Sequence, residues 1–188
     1  MNYFELNPRS NFAGYWPDTI SGQVNDPRIT EHDRNREVVV SEYLGEPPGK
    51  PKKRGVFHKS ATGYFIRADV VELFKSAANG KIILNRSTLV EREDETFYQA
   101  WVINFVDCLD IKRTSFAPTL SNNPIHVGVI KYPVFDESRW DGSDLFAVPQ
   151  DPSYSWFCTE RFIEKWKALK FKGASFSRNY MDGEAIKC

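Results

Sequence analysis

Few side chains in this 188-residue chain are of a type that does covalent chemistry, and their spacing narrows what they can do. There are three histidines. His32 sits beside Asp33 in a charged run, His58 follows a basic run, and His126 opens an apolar alternation. None stands at a standard metal-ligand spacing from another His, Cys or carboxylate, so no metal site is read here. His32 and Asp33 read as a solvated pair rather than a catalytic one. Cys108 lies between Asp107 and Leu109 at the end of an apolar stretch, with no neighbouring cation to lower its pKa. It reads as a small buried hydrophobe rather than a nucleophile. GxSxG, GxGxxG and Walker patterns are absent from the sequence. Asp107 and Asp110 sit where an apolar run becomes a turn, a place where Asp usually accepts local backbone N–H groups. An acid–base enzyme would have to join one of them to His126 in one pocket. Asn104, inside the apolar run, must be paired if buried, and is predicted to tie the run to a neighbouring loop.

A second set of residues suits binding better than catalysis. Glu91, Glu93, Asp94 and Glu95 form one acidic cluster, and Asp136, Glu137, Asp141 and Asp144 surround Trp140 in the other. An exposed Trp flanked by acids is a hot-spot pattern for a protein partner, with the acids steering its approach. The bland alternative for each acid is an ordinary solvated turn. Trp101, Trp156 and Trp166 follow the strand or helix period of their neighbours and read as core.

Bulk properties set outer limits. Lys+Arg and Asp+Glu each number 25, for zero net charge, which argues against a general nucleic-acid binder. No apolar run reaches the ~20 residues of a membrane span. The opening MNYFELNPRS has neither a basic n-region nor an apolar h-region, so no secretory leader is expected. Three scattered cysteines suit free thiols in a reducing compartment. The expectation is a soluble cytoplasmic protein of one domain, with no cofactor. Residues 1–60 read as an irregular N-terminal part, and 45–55 (GEPPGKPKKRG) as an exposed loop. Its KPKKR core reads first as a solvated basic loop. An adaptor role would instead have it hold an acidic partner with steep salt dependence.

The elements that must position these groups show a weak repeat. Residues 64–87 read as strand, helix and strand, with Val70, Val71, Phe74, Ala77 and Ala78 on one helix face and Asn79-Gly80 as a left-handed stop. Residues 156–177 repeat the idea, with Thr159 as N-cap and Phe162, Ile163, Trp166 and Leu169 as the buried face. A shift of 92 residues, from Tyr64 to Trp156, pairs Phe65 with Phe157, Phe74 with Trp166 and Leu84 with Phe176. Residues 97–106 read as a central strand framed by both copies. The predicted class is α+β: a mixed, mainly antiparallel sheet with two short amphipathic helices from the duplicated unit, the core spanning residues 61–182.

The order of these pieces resembles the immunity protein 11 family of bacterial polymorphic-toxin and type VI secretion systems. The matching segments are Asn104-Phe105-Val106-Asp107-Cys108-Leu109-Asp110 after Val102-Ile103, then Leu145-Phe146-Ala147-Val148, then Trp156-Phe157-Cys158-Thr159-Glu160-Arg161-Phe162, then Leu169 to Phe176 around Gly173. Asn2 to Leu6 is similar to the family's start. The basic loop at 45–55 and the aromatics Tyr15-Trp16 are not part of that pattern. The resemblance implies a non-enzymatic cytoplasmic protein that neutralises a cognate secreted toxin, a nuclease by analogy, through stoichiometric binding. The partner is then a toxin protein rather than nucleic acid or a membrane.

Overall fold

A computed structural model describes residues 2–8, 14–19, 38–43, 56–60, 63–89, 95–118, 127–151, 155–177 and 185–187. The fold is α+β, and among the described residues there are two α-helices and sheets that are antiparallel except for one parallel pair. The strands are β1 (Tyr3–Pro8), β2 (Gly14–Thr19), β3 (Val38–Tyr43), β4 (Phe57–Ser60), β5 (Gly63–Arg67), β6 (Ile82–Leu89) and β7 (Phe97–Val102). They continue as β8 (Ser115–Ala117), β9 (Val129–Tyr132), β10 (Leu145–Phe146), β11 (Trp156–Thr159), β12 (Ala174–Ser177) and β13 (Ala185–Lys187), with helices α1 (Val71–Ala77) and α2 (Glu160–Ala168). One sheet runs β2-β3-β6-β7-β5-β4 and the other β10-β11-β1-β12-β13, while β8 and β9 form a separate ribbon.

The predicted repeat is present. In the first copy β5 and β6 both pair antiparallel with β7, so they run parallel to each other and α1 joins them. In the second, β11 and β12 flank β1 in the same way and α2 joins them. The registers coincide. Ala100 lies between Tyr64 and Leu84, and Leu6 between Trp156 and Phe176. Gln99 lies between Phe65 and Asn85, and Glu5 between Phe157 and Ser177. A single central strand at 97–106 is therefore replaced by two: β7 for the first copy and β1, from the N-terminal part, for the second. Strand pairing of β7 ends at Val102, and Phe105 lies beyond it in an isolated parallel bridge to Ala147.

Helix α1 closes as predicted, with Asn79 and Gly80 both at positive φ. Val70, Val71, Phe74, Ala77 and Ala78 are all buried. The two helices meet through Phe74, whose ring packs edge-on against Phe162 and Trp166. Alternation along the strands gives the second sheet two apolar faces. Phe4, Leu6, Leu145, Trp156 and Cys158 join α1, α2 and the first sheet in the main core. Tyr3, Phe146 and Phe157 point the other way, onto a smaller cluster with Val106, Leu109, Ile130, Phe135 and Trp140. That cluster is roofed by an antiparallel arm. Cys108 O accepts from Asp136 N, Leu109 bridges Phe135, Asp110 N donates to Val134 O, and β8–β9 extends the pairing.

Candidate functional site

The residues read as chemically capable gather at the base of this arm. Asn104 is fully buried, and its Nδ2 donates to Ser143 Oγ at 2.8 Å and to Leu145 O at 3.3 Å. Its own backbone carbonyl accepts from Ala147 N. The buried amide thus stitches the end of β7 to the 143–147 segment, as its position in the apolar run requires. Asp110 Oδ1 accepts from the N–H groups of Lys112 and Arg113, the local turn role expected of it. Asp107 does otherwise: its carboxylate takes Gln150 Nε2 and lies 3.6 Å from Arg139. Cys108 is buried, and burial pushes its thiol up to about 12. Burial likewise raises Cys158 well above the usual thiol range. Thiols held protonated at neutral pH are poor nucleophiles. His126 lies outside the described residues, as do His32, the KPKKR run, Glu91, Glu93 and Asp94.

The acids around Trp140 are turned inward or matched locally. Asp144 is only 8% exposed. Its Oδ1 takes Thr159 Oγ1 at 2.7 Å and Arg161 Nε at 2.8 Å, and its Oδ2 takes Lys165 Nζ at 3.0 Å. Burial raises its pKa, and the hydrogen bonds from Thr159, Lys165 and Arg161 outweigh that and hold it below the usual carboxylate range. Asp144 is therefore a structural hub, not the exposed steering acid expected. Thr159 is corrected with it: the residue occupies the N-cap position of α2, but its hydroxyl serves Asp144 rather than a helix N–H.

Asp136 caps the short turn Glu137–Arg139 by accepting from Ser138, and Arg139 Nε lies 3.1 Å away. Asp141 accepts from Ser143 N and lies 3.9 Å from Lys81. Burial raises its pKa, but the Ser143 hydrogen bonds dominate and lower it. Trp140 is half-buried rather than free. Its Nε1 donates to Ser143 O, its ring meets Tyr3 edge-on, and Arg161 lies over it at 5.5 Å. Tyr3, packed under Trp140, has its phenol pushed up to about 12, first by burial and then by Glu137. Glu137 is exposed, and Glu95 is half-buried with Arg67 3.8 Å away.

The cations behave differently. Among the residues whose side chains are described, Arg86, Lys112, Lys131, Lys167, Lys170 and Lys172 make no ion pair or side-chain hydrogen bond, and Glu164 is the one acid in that state. Three of these lysines stand together at the end of α2, around Leu169. Leu169, expected on the buried face, is 53% exposed because the helix ends at Ala168 and Lys170 turns the chain with φ +57°. The run KWKALKFK (165–172) carried this signal in the sequence, obscured by its helical apolar period.

No helix among the described residues is long and apolar enough to cross a membrane, and no group of three or more His, Cys, Asp or Glu among them could hold a metal ion. No family model matches the chain, and no curated protein matches it.

Proposed function

We propose that this protein acts by binding another protein rather than by catalysis: a cytoplasmic immunity protein that neutralises a cognate secreted toxin by stoichiometric association. One observation carries the reading. Three of the segments that resemble the immunity protein 11 family, 102–110, 145–148 and 156–162, come together through contacts spent on architecture. Asn104 ties to Ser143 and Leu145, Phe105 bridges Ala147, Phe146 pairs with Phe157, and Thr159 and Arg161 hold Asp144. A signature made of packing and buried hydrogen bonds suits a rigid scaffold that presents a surface. A tight inhibitor of this size buries ~1,200–2,000 Å² in its complex.

The test is affinity capture of the tagged protein from its native cells while secretion genes are expressed, followed by co-expression with whatever is captured. A single stoichiometric partner whose toxicity is relieved by co-expression is the expected result. A protein that returns alone, or a partner whose toxicity is unaffected, overturns the reading.

A further inference from the structure

We propose that the end of α2, with Lys167, Leu169, Lys170 and Lys172, is a docking surface for an acidic stretch of a partner protein that also carries an apolar side chain. This rests on the partner-binding reading above and names the partner's chemistry. The acids around Trp140 suggest a cationic partner, but Asp136, Asp141 and Asp144 are already matched by Arg139, Lys81, and Arg161 with Lys165. Unmatched cations outnumber the one unmatched acid, Glu164, among the side chains described, and at the end of α2 three of them, all lysines, fall within six residues.

A purely structural account covers only part of this. Lysines in a last helical turn favour the negative end of the helix dipole, which explains Lys165 and Lys167. Lys170 and Lys172 lie past the helix, where that effect has faded, and Leu169 gains nothing from it. An exposed apolar side chain flanked along the chain by unpaired cations suits an interface core with a charged rim. The backbone here is anchored, since Val56 N–H donates to Lys172 O at 3.1 Å. Nucleic acid suits the patch less well. The nearby ring of Phe171 is half-buried and packed edge-on against Trp166, so it offers no stacking platform. A membrane surface would need a broad apolar face, and Leu169 is a single side chain.

The position permits a clean variant. Lys170 holds a left-handed conformation that glycine adopts freely, so Lys170→Gly removes a charge without straining the turn. The probe is a fluorescent random copolymer of glutamate and tyrosine, its binding followed by anisotropy across a salt series. The wild-type protein is expected to bind it, weakening as salt rises. The Lys167→Gln, Lys170→Gly, Lys172→Gln triple variant is expected to bind on the order of tenfold more weakly with an unchanged thermal midpoint. Arg86→Gln, also exposed but distant in sequence, should leave binding intact. No copolymer binding, or equal binding by the triple variant, overturns the proposal. So does tighter lysine-dependent binding of a DNA duplex or of phosphatidylserine vesicles. If cells yield a neutralised toxin while the copolymer experiment fails, only this surface is withdrawn. If they yield no partner, the broader reading goes, whatever the copolymer does.

Discussion

Asp144 carries the sharpest single-residue expectation. Replacing it with Asn removes the charge and turns one of the two acceptor oxygens into an NH2 donor, so Arg161, Lys165 and the Thr159 hydroxyl lose their shared carboxylate and compete for the single oxygen left. Both cations are about half exposed and recover water, so the cost should be about 2 kcal/mol rather than the larger figure for a fully buried pair. Chemical denaturation at neutral pH measures it. The folded carboxyl titrates below its unfolded value of roughly 3.9, so its contribution is complete above that pH and lost as pH falls through the folded value. Asp144→Asn should therefore flatten the acid limb of the stability curve below about pH 4, leaving the part due to Asp141, whose pKa is also lowered. The thiols give a second expectation. Native Cys108 and Cys158 should resist alkylation at pH 8 and react once urea unfolds the chain, as peptide mass mapping would record. At this scale the sequence was legible where one rule applied without competition. Asn104 in an apolar run had to find a partner, and it did. Thr159 had two possible uses, a helix N–H beside it or a carboxylate 15 residues away, and no local pattern chooses between them.

The arm that roofs the smaller cluster depends on close backbone approach at one glycine. A Cβ on Gly128 would collide with the Ala117 carbonyl oxygen and crowd Phe116 Cβ, and backbone cannot swing aside as a flexible side chain can. Gly128→Ala should cost about 1–3 kcal/mol and speed hydrogen exchange at Phe116 and Ile130, leaving α1 and α2 amides protected. Faster exchange in the helices as well would mean that the arm does not open independently. Elements were read well from periodicity and less well at their ends. Residues 174–177 were read as a strand and β12 occupies them. Leu169 was assigned to the buried face because the 3.6-residue period reaches it, but a period cannot show that the helix stops one residue earlier. The part read as irregular, 1–60, contains β3 in the β-branched run at Val38–Tyr43, and β2 at Gly14–Thr19 lies in a Pro-, Gly- and Asn-rich stretch that masks strand propensity.

In the whole molecule Phe74 is a main contact between the two copies, beside Tyr64, whose ring lies 4.2 Å from that of Trp156. Phe74 touches Phe57 of β4, Trp156 of β11, and Phe162 and Trp166 of α2. Phe74→Ala should cost about 3–5 kcal/mol. Because the main core draws on both sheets, calorimetry should still show one transition; two separated transitions would mean that the copies are independently stable. The repeat itself is legible in the spacing of apolar residues: Phe65 and Phe157, Val70 and Phe162, Val71 and Ile163, and Phe74 and Trp166 are all buried, although Ala77 is buried where Leu169 is exposed. The source of each copy's middle strand is not legible, because pairing across most of the chain leaves no local trace. That long-range pairing bears on synthesis. Asn7 O accepts from Ser175 Oγ, 168 residues downstream. At ~5–20 residues per second, a ribosome needs on the order of 10–30 s to make that stretch. Throughout it the nascent β1, with Phe4 and Leu6 uncovered, lacks both of its partner strands, while the first copy, whose three strands all lie between residues 63 and 102, can already close.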